Sequence, residues 1–240
     1  MAAQDIATMP PENNAIAANL ERVREQIAGA AQRAGRRTED VTIVAVSKTF
    51  PPEAVRAAYG AGLRHFGENR VQEFETKQPR LADIDATWHF IGHLQSNKAR
   101  RAANLFDSVD SVDSVALGQK LDSAATAENK RLPILIEVHL GGEQSKSGVA
   151  EAEISALAES LLTLPHLELR GLMAIPPYFD DPERVRPYFR ELRELRDDLS
   201  RRIGHPLPVL SMGMSHDFKA AIEEGASEIR LGTALFGERL

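Results

Sequence analysis

The stretches VLSMGMS (209–215) and IRLGTALFG (229–237) decide how this chain is read. Each is a short apolar strand that breaks into a small turn containing glycine. Ser, Gly and Thr at consecutive strand ends leave backbone N–H groups and hydroxyls free to surround a phosphate. Far upstream, VTIVAVSKT (41–49) is a strand of branched apolar residues ending on a lysine, Lys48.

Working outward from these ends, strand-like apolar runs recur at Val41–Val46, Leu63–Phe66, Trp88–Ile91, Leu105–Val109, Ile134–Val138, Leu169–Ala174, Val209–Met212 and Ile229–Leu231. Helix-like stretches lie between them. Pro52 and Glu53 suit early helical positions, and Val185, Phe189, Leu192, Leu195 and Leu199 form an apolar stripe along Arg184–Arg202. A further helix precedes the first strand, with Ile16, Leu20, Val23 and Ile27 at helical spacing. This alternation predicts an α/β fold, a single (β/α)8 TIM barrel with an extra N-terminal helix. A doubly wound open sheet is the alternative. The barrel is favoured because the count reaches eight, and because the cup follows the seventh and eighth strands, where barrels bind phosphate. Residues 1–13, polar and Pro-containing, are expected to be a flexible tail, and 14–240 one barrel domain.

The 240 residues are 42% hydrophobic and 27% charged, ordinary for a soluble globular protein. The net charge of −6 and the lack of a basic stripe argue against nucleic acid as a partner. With no cysteine, disulfides and thiolate chemistry are excluded. The N-terminus does not read as a secretion signal, and no apolar run is long enough to cross a bilayer. A cytoplasmic protein is expected.

Lys48 shares one strand face with Val44 and Val46. If those two fill the barrel, the amine points over its C-terminal mouth, partly shielded from water. That environment favours the neutral amine that condenses with an aldehyde. A lysine facing a phosphate cup suggests a ligand carrying both groups, pyridoxal 5′-phosphate (PLP). The alternative is a strand-end lysine that only solvates its head group. Arg230 faces opposite to Ile229 and Leu231, so it points inward, where a guanidinium needs a ligand or an ion pair; Glu137 is the candidate partner. Ser211, Gly213, Ser215, Gly232 and Thr233 form the proposed cup, each alone readable as an ordinary turn or cap. Glu68 and Asn69 of GEN (67–69) are placed near the same mouth, either lining the pocket or merely shaping a turn. His89 and His93 have an i, i+4 spacing that binds metal only on a helix, and this segment begins as a strand, so no metal is expected. Lys146 in EQSKSG is a possible second amine. Lys219 lies on the helix after the seventh strand, poorly placed.

Taken together, AVSKT, HFGENRVQE, WHFIGHLQSNK, EQSKSG, LRGLMAI, LSMGMS and EIRLGTALFG resemble the YggS/PROSC family of pyridoxal phosphate homeostasis proteins. That family is similar in fold to the N-terminal barrel domain of alanine racemase. The resemblance implies that Lys48 holds PLP as a Schiff base and that Ser211 with Gly232–Thr233 holds the phosphate. It also implies that Arg230 addresses the pyridine nitrogen, and that Asn69, Met212 and Gly213 line the cofactor. His139 and His216 depart from the family pattern at the rim, where Asn and Asp are usual.

A fixed cation beside the pyridine nitrogen disfavours its protonation and weakens the ring as an electron sink. Racemisation also needs an acid and a base on opposite faces of the α-carbon. None of the three tyrosines, Tyr59, Tyr178 and Tyr188, sits in a segment matching that role. The expectation is therefore a non-enzymatic monomer that buffers or delivers PLP to apo PLP-dependent enzymes, with a PLP-dependent racemase as the alternative. A barrel that binds a phosphorylated metabolite without aldehyde chemistry is a third reading.

Overall fold

A computed structural model of the chain describes residues 11–141 and 148–238. Lys146 lies outside the described residues. Eight parallel strands close into a barrel in sequence order: β1 (Thr42–Val46), β2 (His65–Glu68), β3 (Thr87–Phe90), β4 (Ser108–Val112), β5 (Leu132–Val138), β6 (Leu167–Ala174), β7 (Val209–Met214) and β8 (Glu228–Leu231). β1 pairs with β8, which closes the ring. The open sheet is thereby excluded. α2 (Pro52–Gly60), α3 (Val71–Lys77), α4 (Ala99–Leu105), α5 (Val115–Ala127), α6 (Ile154–Leu162), α7 (Arg186–Ile203) and α8 (Phe218–Glu223) connect successive strands, and α9 (Thr233–Phe236) follows β8.

α1 (Pro11–Arg33) precedes the barrel, starting three residues before the apolar periodicity places it. It buries Ile16, Leu20, Val23 and Ile27, the stripe read from the sequence. Asn19 donates its side-chain amide to the Leu235 carbonyl at 2.8 Å, so α1 supports the short helix after β8.

Strand alternation sorts the side chains into two layers. Ala45, Phe66, Trp88, Phe90, Val109, Leu172, Leu210, Met212, Ile229 and Leu231 join the apolar core between sheet and helices. The opposite faces of the same strands point into the barrel. Val44 and Val46 do so as expected, but His65, His89, Ser108, Asp110, Ser211 and Arg230 share that space. The interior is thus strongly polar, not filled with branched aliphatics alone.

The polar interior explains the largest boundary error. The fourth strand is expected at Leu105–Val109, but Leu105 ends α4 and the strand is SVDSV, 108–112. Its inward Ser108 and Asp110 hide the strand from a reading based on apolar residues.

Candidate functional site

Lys48 stands two residues beyond the end of β1, half-buried in a turn at the C-terminal mouth. Gly232 stands one residue beyond the end of neighbouring β8. A Cβ added at Gly232 would lie 3.8 Å from both the Val46 Cβ and the Val46 carbonyl oxygen, so the two strand ends touch. Phe50 stacks on Phe236 with centroids 4.7 Å apart, pinning the lysine turn to α9. The fold therefore brings the amine and the proposed cup together.

In the proposed cup, two backbone N–H groups converge on Ser215. Its Oγ accepts the N–H groups of Gly232 and Ala234 at 3.2 and 3.1 Å, which shows both donors aimed at one point between the loops after β7 and β8. Thr233 is exposed beside them. Ser211 lies deeper: fully buried, its Oγ accepts from Arg230 Nη1 at 2.8 Å. Met212 packs its side chain into the outer apolar layer, leaving only its backbone to the cup. Gly213 has φ +92°, and a Cβ there would stand 2.5 Å from the Ala221 Cβ, so glycine lets α8 press against the strand end. Asn69 follows β2, packed so closely on Gly92 that a Cβ on that glycine would come 2.4 Å from the Asn69 carbonyl oxygen.

Arg230 is 3% exposed. Besides Ser211 it donates Nη2 to the Ala174 carbonyl at 2.8 Å. Burial lowers its pKa, and the fields of Asp110, Glu228, Glu137 and Asp217 act against that. The internal compensation read for Glu137 is thus shared among four carboxylates.

Beneath Arg230 runs a hydrogen-bonded chain. His65 Nδ1 and His89 Nε2 are 3.0 Å apart, His89 Nδ1 is 3.0 Å from Asp110, and Ser108 donates to Asp110. Burial acts to lower the His89 imidazolium, but the charge and hydrogen bond of Asp110 outweigh it and hold the ring above its usual value. Burial and the neighbouring His89 depress His65. A charged His89 donating to a neutral His65 satisfies both rings. His93, the other half of the i, i+4 pair, faces away to Asp113 at 3.5 Å. Ligand atoms of His89, Asp110 and Glu228 converge within 4.8 Å of one another, but His89 and Asp110 already bond each other and Glu228 bonds Ser211.

Burial, with Asp110 adding, pushes the Glu228 carboxyl up to about 7. A raised carboxyl means that the folded state holds the proton more tightly than the unfolded chain. Its stabilising effect is complete below about pH 4.5 and is lost as pH rises through about 7. At 1.36 kcal/mol per pH unit the loss is on the order of 3 kcal/mol. Urea midpoints at pH 5 and pH 8 should fall for the wild type and fall much less for Glu228→Gln. Parallel changes in the two proteins would show that Glu228 does not titrate in this range.

One placement narrows the sequence reading, and one residue is added to it. Glu68 does not line the mouth: it alternates with inward Gly67 and is buried on the outer side, where Lys77 Nζ (2.7 Å) and Ser47 Oγ (2.7 Å) donate to it. Lys77 itself, 5% exposed, is the residue that sequence reasoning missed. Its i, i+4 spacing from Glu73 was the available signal. Lys219 is exposed on α8, as expected. Tyr178 is 70% exposed on the loop after β6, with its ring 5.3 Å from His216. Tyr188 packs on Phe179, and Tyr59 lies on α2 under Arg64. His216 Nε2 lies 3.1 Å from the carbonyls of Phe179 and Asp180, tying the β6 loop to the loop that carries Ser215.

A family model described as alanine racemase, N-terminal domain, matches residues 14–240. The chain belongs to that family. The pyridoxal phosphate homeostasis protein of Aquifex aeolicus is 50% identical over 220 residues, spanning 92% of this chain and 96% of its own. That of Pseudomonas aeruginosa is 49% identical over 224 residues, 93% and 96% of the two chains. Among solved structures, PipY of Synechococcus elongatus with PLP bound superposes with a TM-score of 0.83 at 40% identity, covering 92% of this chain and all of PipY. Alanine racemase of Corynebacterium glutamicum shares the fold at 19% identity and a TM-score of 0.69; the match covers 92% of this chain and 62% of that enzyme. The resemblance read from the motifs is borne out. Among the described residues, no helix is long and apolar enough to cross a membrane.

Proposed function

We propose that this chain binds PLP at the C-terminal mouth of its barrel and serves PLP homeostasis as a cytoplasmic, monomeric carrier or buffer. One juxtaposition supports the reading most: a strand-end lysine and a cup of converging N–H groups on touching strand ends, above a buried guanidinium. When bound, PLP supplies an aldehyde that joins an amine covalently and reversibly with loss of water. The donor set fits the ligand. Lys48 offers the amine, Gly232, Ala234, Ser215 and Thr233 offer donors suited to a phosphate, and Arg230 offers a cation for the ring nitrogen. Asn69 and the backbone of Met212–Gly213 complete the lining. Ser211 then acts through Arg230, which it orients, and Ser215 takes the place at the cup.

A guanidinium keeps all its protons at any physiological pH. It therefore cannot protonate a ring nitrogen, which suits holding the cofactor more than driving carbanion chemistry. The name of the homologues and the PLP in PipY point the same way. Apo PLP-dependent enzymes are the proposed acceptors.

Borohydride reduction of the PLP-loaded protein, followed by peptide mass mapping, tests the reading. Label on Lys48 is expected. A label confined to another lysine, or none, overturns it. Ser215→Ala should weaken retention of PLP by about 1–2 kcal/mol, roughly five- to thirtyfold, through loss of one hydroxyl at the phosphate. Equilibrium dialysis measures this, and unchanged retention would remove Ser215 from the cup.

A further inference from the structure

The residues behind Lys48 are arranged as a clamp on its backbone. Lys77 donates Nζ to the Ser47 carbonyl at 3.0 Å, to Glu68 at 2.7 Å and to Glu73 at 3.3 Å. Ser47 Oγ donates to the same Glu68 oxygen. On the other side of Lys48, the Thr49 N–H donates to Glu73 Oε1 at 2.5 Å. The peptide planes before and after Lys48 are thus each tied to one ion-paired group. Between two planar peptides only the φ and ψ of the intervening residue are soft, so fixing both planes fixes the direction in which the Lys48 side chain leaves the backbone.

Two features show that this arrangement is held against a cost. Thr49 has φ +69°, in the left-handed region that a β-branched residue rarely adopts. Lys77 and Glu68 are 5% and 0% exposed, and buried charges are expensive unless paired. Surface charges would have served the helix α3 equally well. The ion pair instead sits under the one turn that carries the candidate amine.

We propose that Lys77, Glu68 and Glu73 form a positioning triad that holds the Lys48 turn, and through it the Lys48 amine, in the orientation that reaches PLP. None of the three touches the cofactor. Glu73 sets the plane after the lysine, Lys77 sets the plane before it, and Glu68 holds Lys77 in place. The inference rests on the assignment of PLP to Lys48, and its test separates the two.

Glu73 is the informative position, because it is partly exposed and its replacement spares the buried Lys77–Glu68 pair. Glu73→Gln keeps a carbonyl oxygen for the Thr49 N–H; Glu73→Ala removes it. Hydrogen exchange at the Thr49 amide, read in the PLP-free protein, should speed by about tenfold in Glu73→Ala and by less than about twofold in Glu73→Gln. The rate of borohydride-fixed PLP attachment at Lys48 should fall by about tenfold in Glu73→Ala and be restored in Glu73→Gln. Lys77→Met, if folded, should behave as Glu73→Ala. Attachment at Lys48 unchanged in Glu73→Ala overturns the triad while leaving the PLP assignment intact. Glu73→Gln as impaired as Glu73→Ala also overturns it. Absence of label at Lys48 in the wild type defeats the PLP assignment instead, and the amide exchange still reports on the clamp.

Discussion

Lys48→Ala is expected to abolish borohydride-fixed PLP, lowering retention of the cofactor by about a hundredfold, or about 3 kcal/mol. The reason is placement. Lys77 is locked behind the barrel between Glu68 and Glu73, and Lys219 is exposed on α8. Neither stands at the Ser215 cup. Phosphate contacts alone would remain, and these bind reversibly without a covalent anchor. The measurement is absorbance and intact mass after reduction, with circular dichroism confirming the fold. A Lys48→Ala protein that retains a stoichiometric reduced adduct would move the chemistry to another amine.

Arg230→Leu is expected to cost about 3–5 kcal/mol of stability, the range for removing one partner from a buried charged network. The side chain is buried among Asp110, Glu228, Glu137 and Asp217, and it fills hydrogen bonds to Ser211 and the Ala174 carbonyl. Leucine restores volume but neither charge nor donors. Without the cation, Glu228 holds its proton to higher pH, because Arg230 is among the groups that lower it. The deficit should therefore grow as pH rises from 6 toward 9, as the carboxylates that remain are forced to ionise. Urea unfolding across that range reads the effect. PLP retention should fall as well. A variant as stable as the wild type at pH 8 would mean that the interior carboxylates are not charged when Arg230 is present.

Much of this architecture was legible in the chain. The alternation of apolar runs with amphipathic helices is a local signal, repeated often enough to survive errors at individual boundaries. Lys48 and the SMGMS and IRLGTA turns were visible because strand-end chemistry is written in consecutive residues. The inward direction of Arg230 followed from its position between Ile229 and Leu231. The barrel interior was harder to read. His65, His89, Asp110 and Glu228 come from four strands, and nothing in their own neighbourhoods announces that they converge. Position along the chain put Glu68 near the mouth without giving its direction, and the alternation of β2 turns its side chain outward.

By itself the sequence determined the order of elements, the candidate residues for phosphate and amine chemistry, and the strand end at which each lies. Those follow from period and residue type, which are local. Tertiary structure alone decided that two loop N–H groups converge on Ser215 while Ser211 bonds Arg230, that four carboxylates surround Arg230, and that Lys77 reaches back to the Ser47 carbonyl just before Lys48. The first depends on the pairing of β7 with β8, the second on a closed ring that gathers several strands around one interior, and the third on the pairing of β1 with β2, each placing residues far apart in the chain within reach.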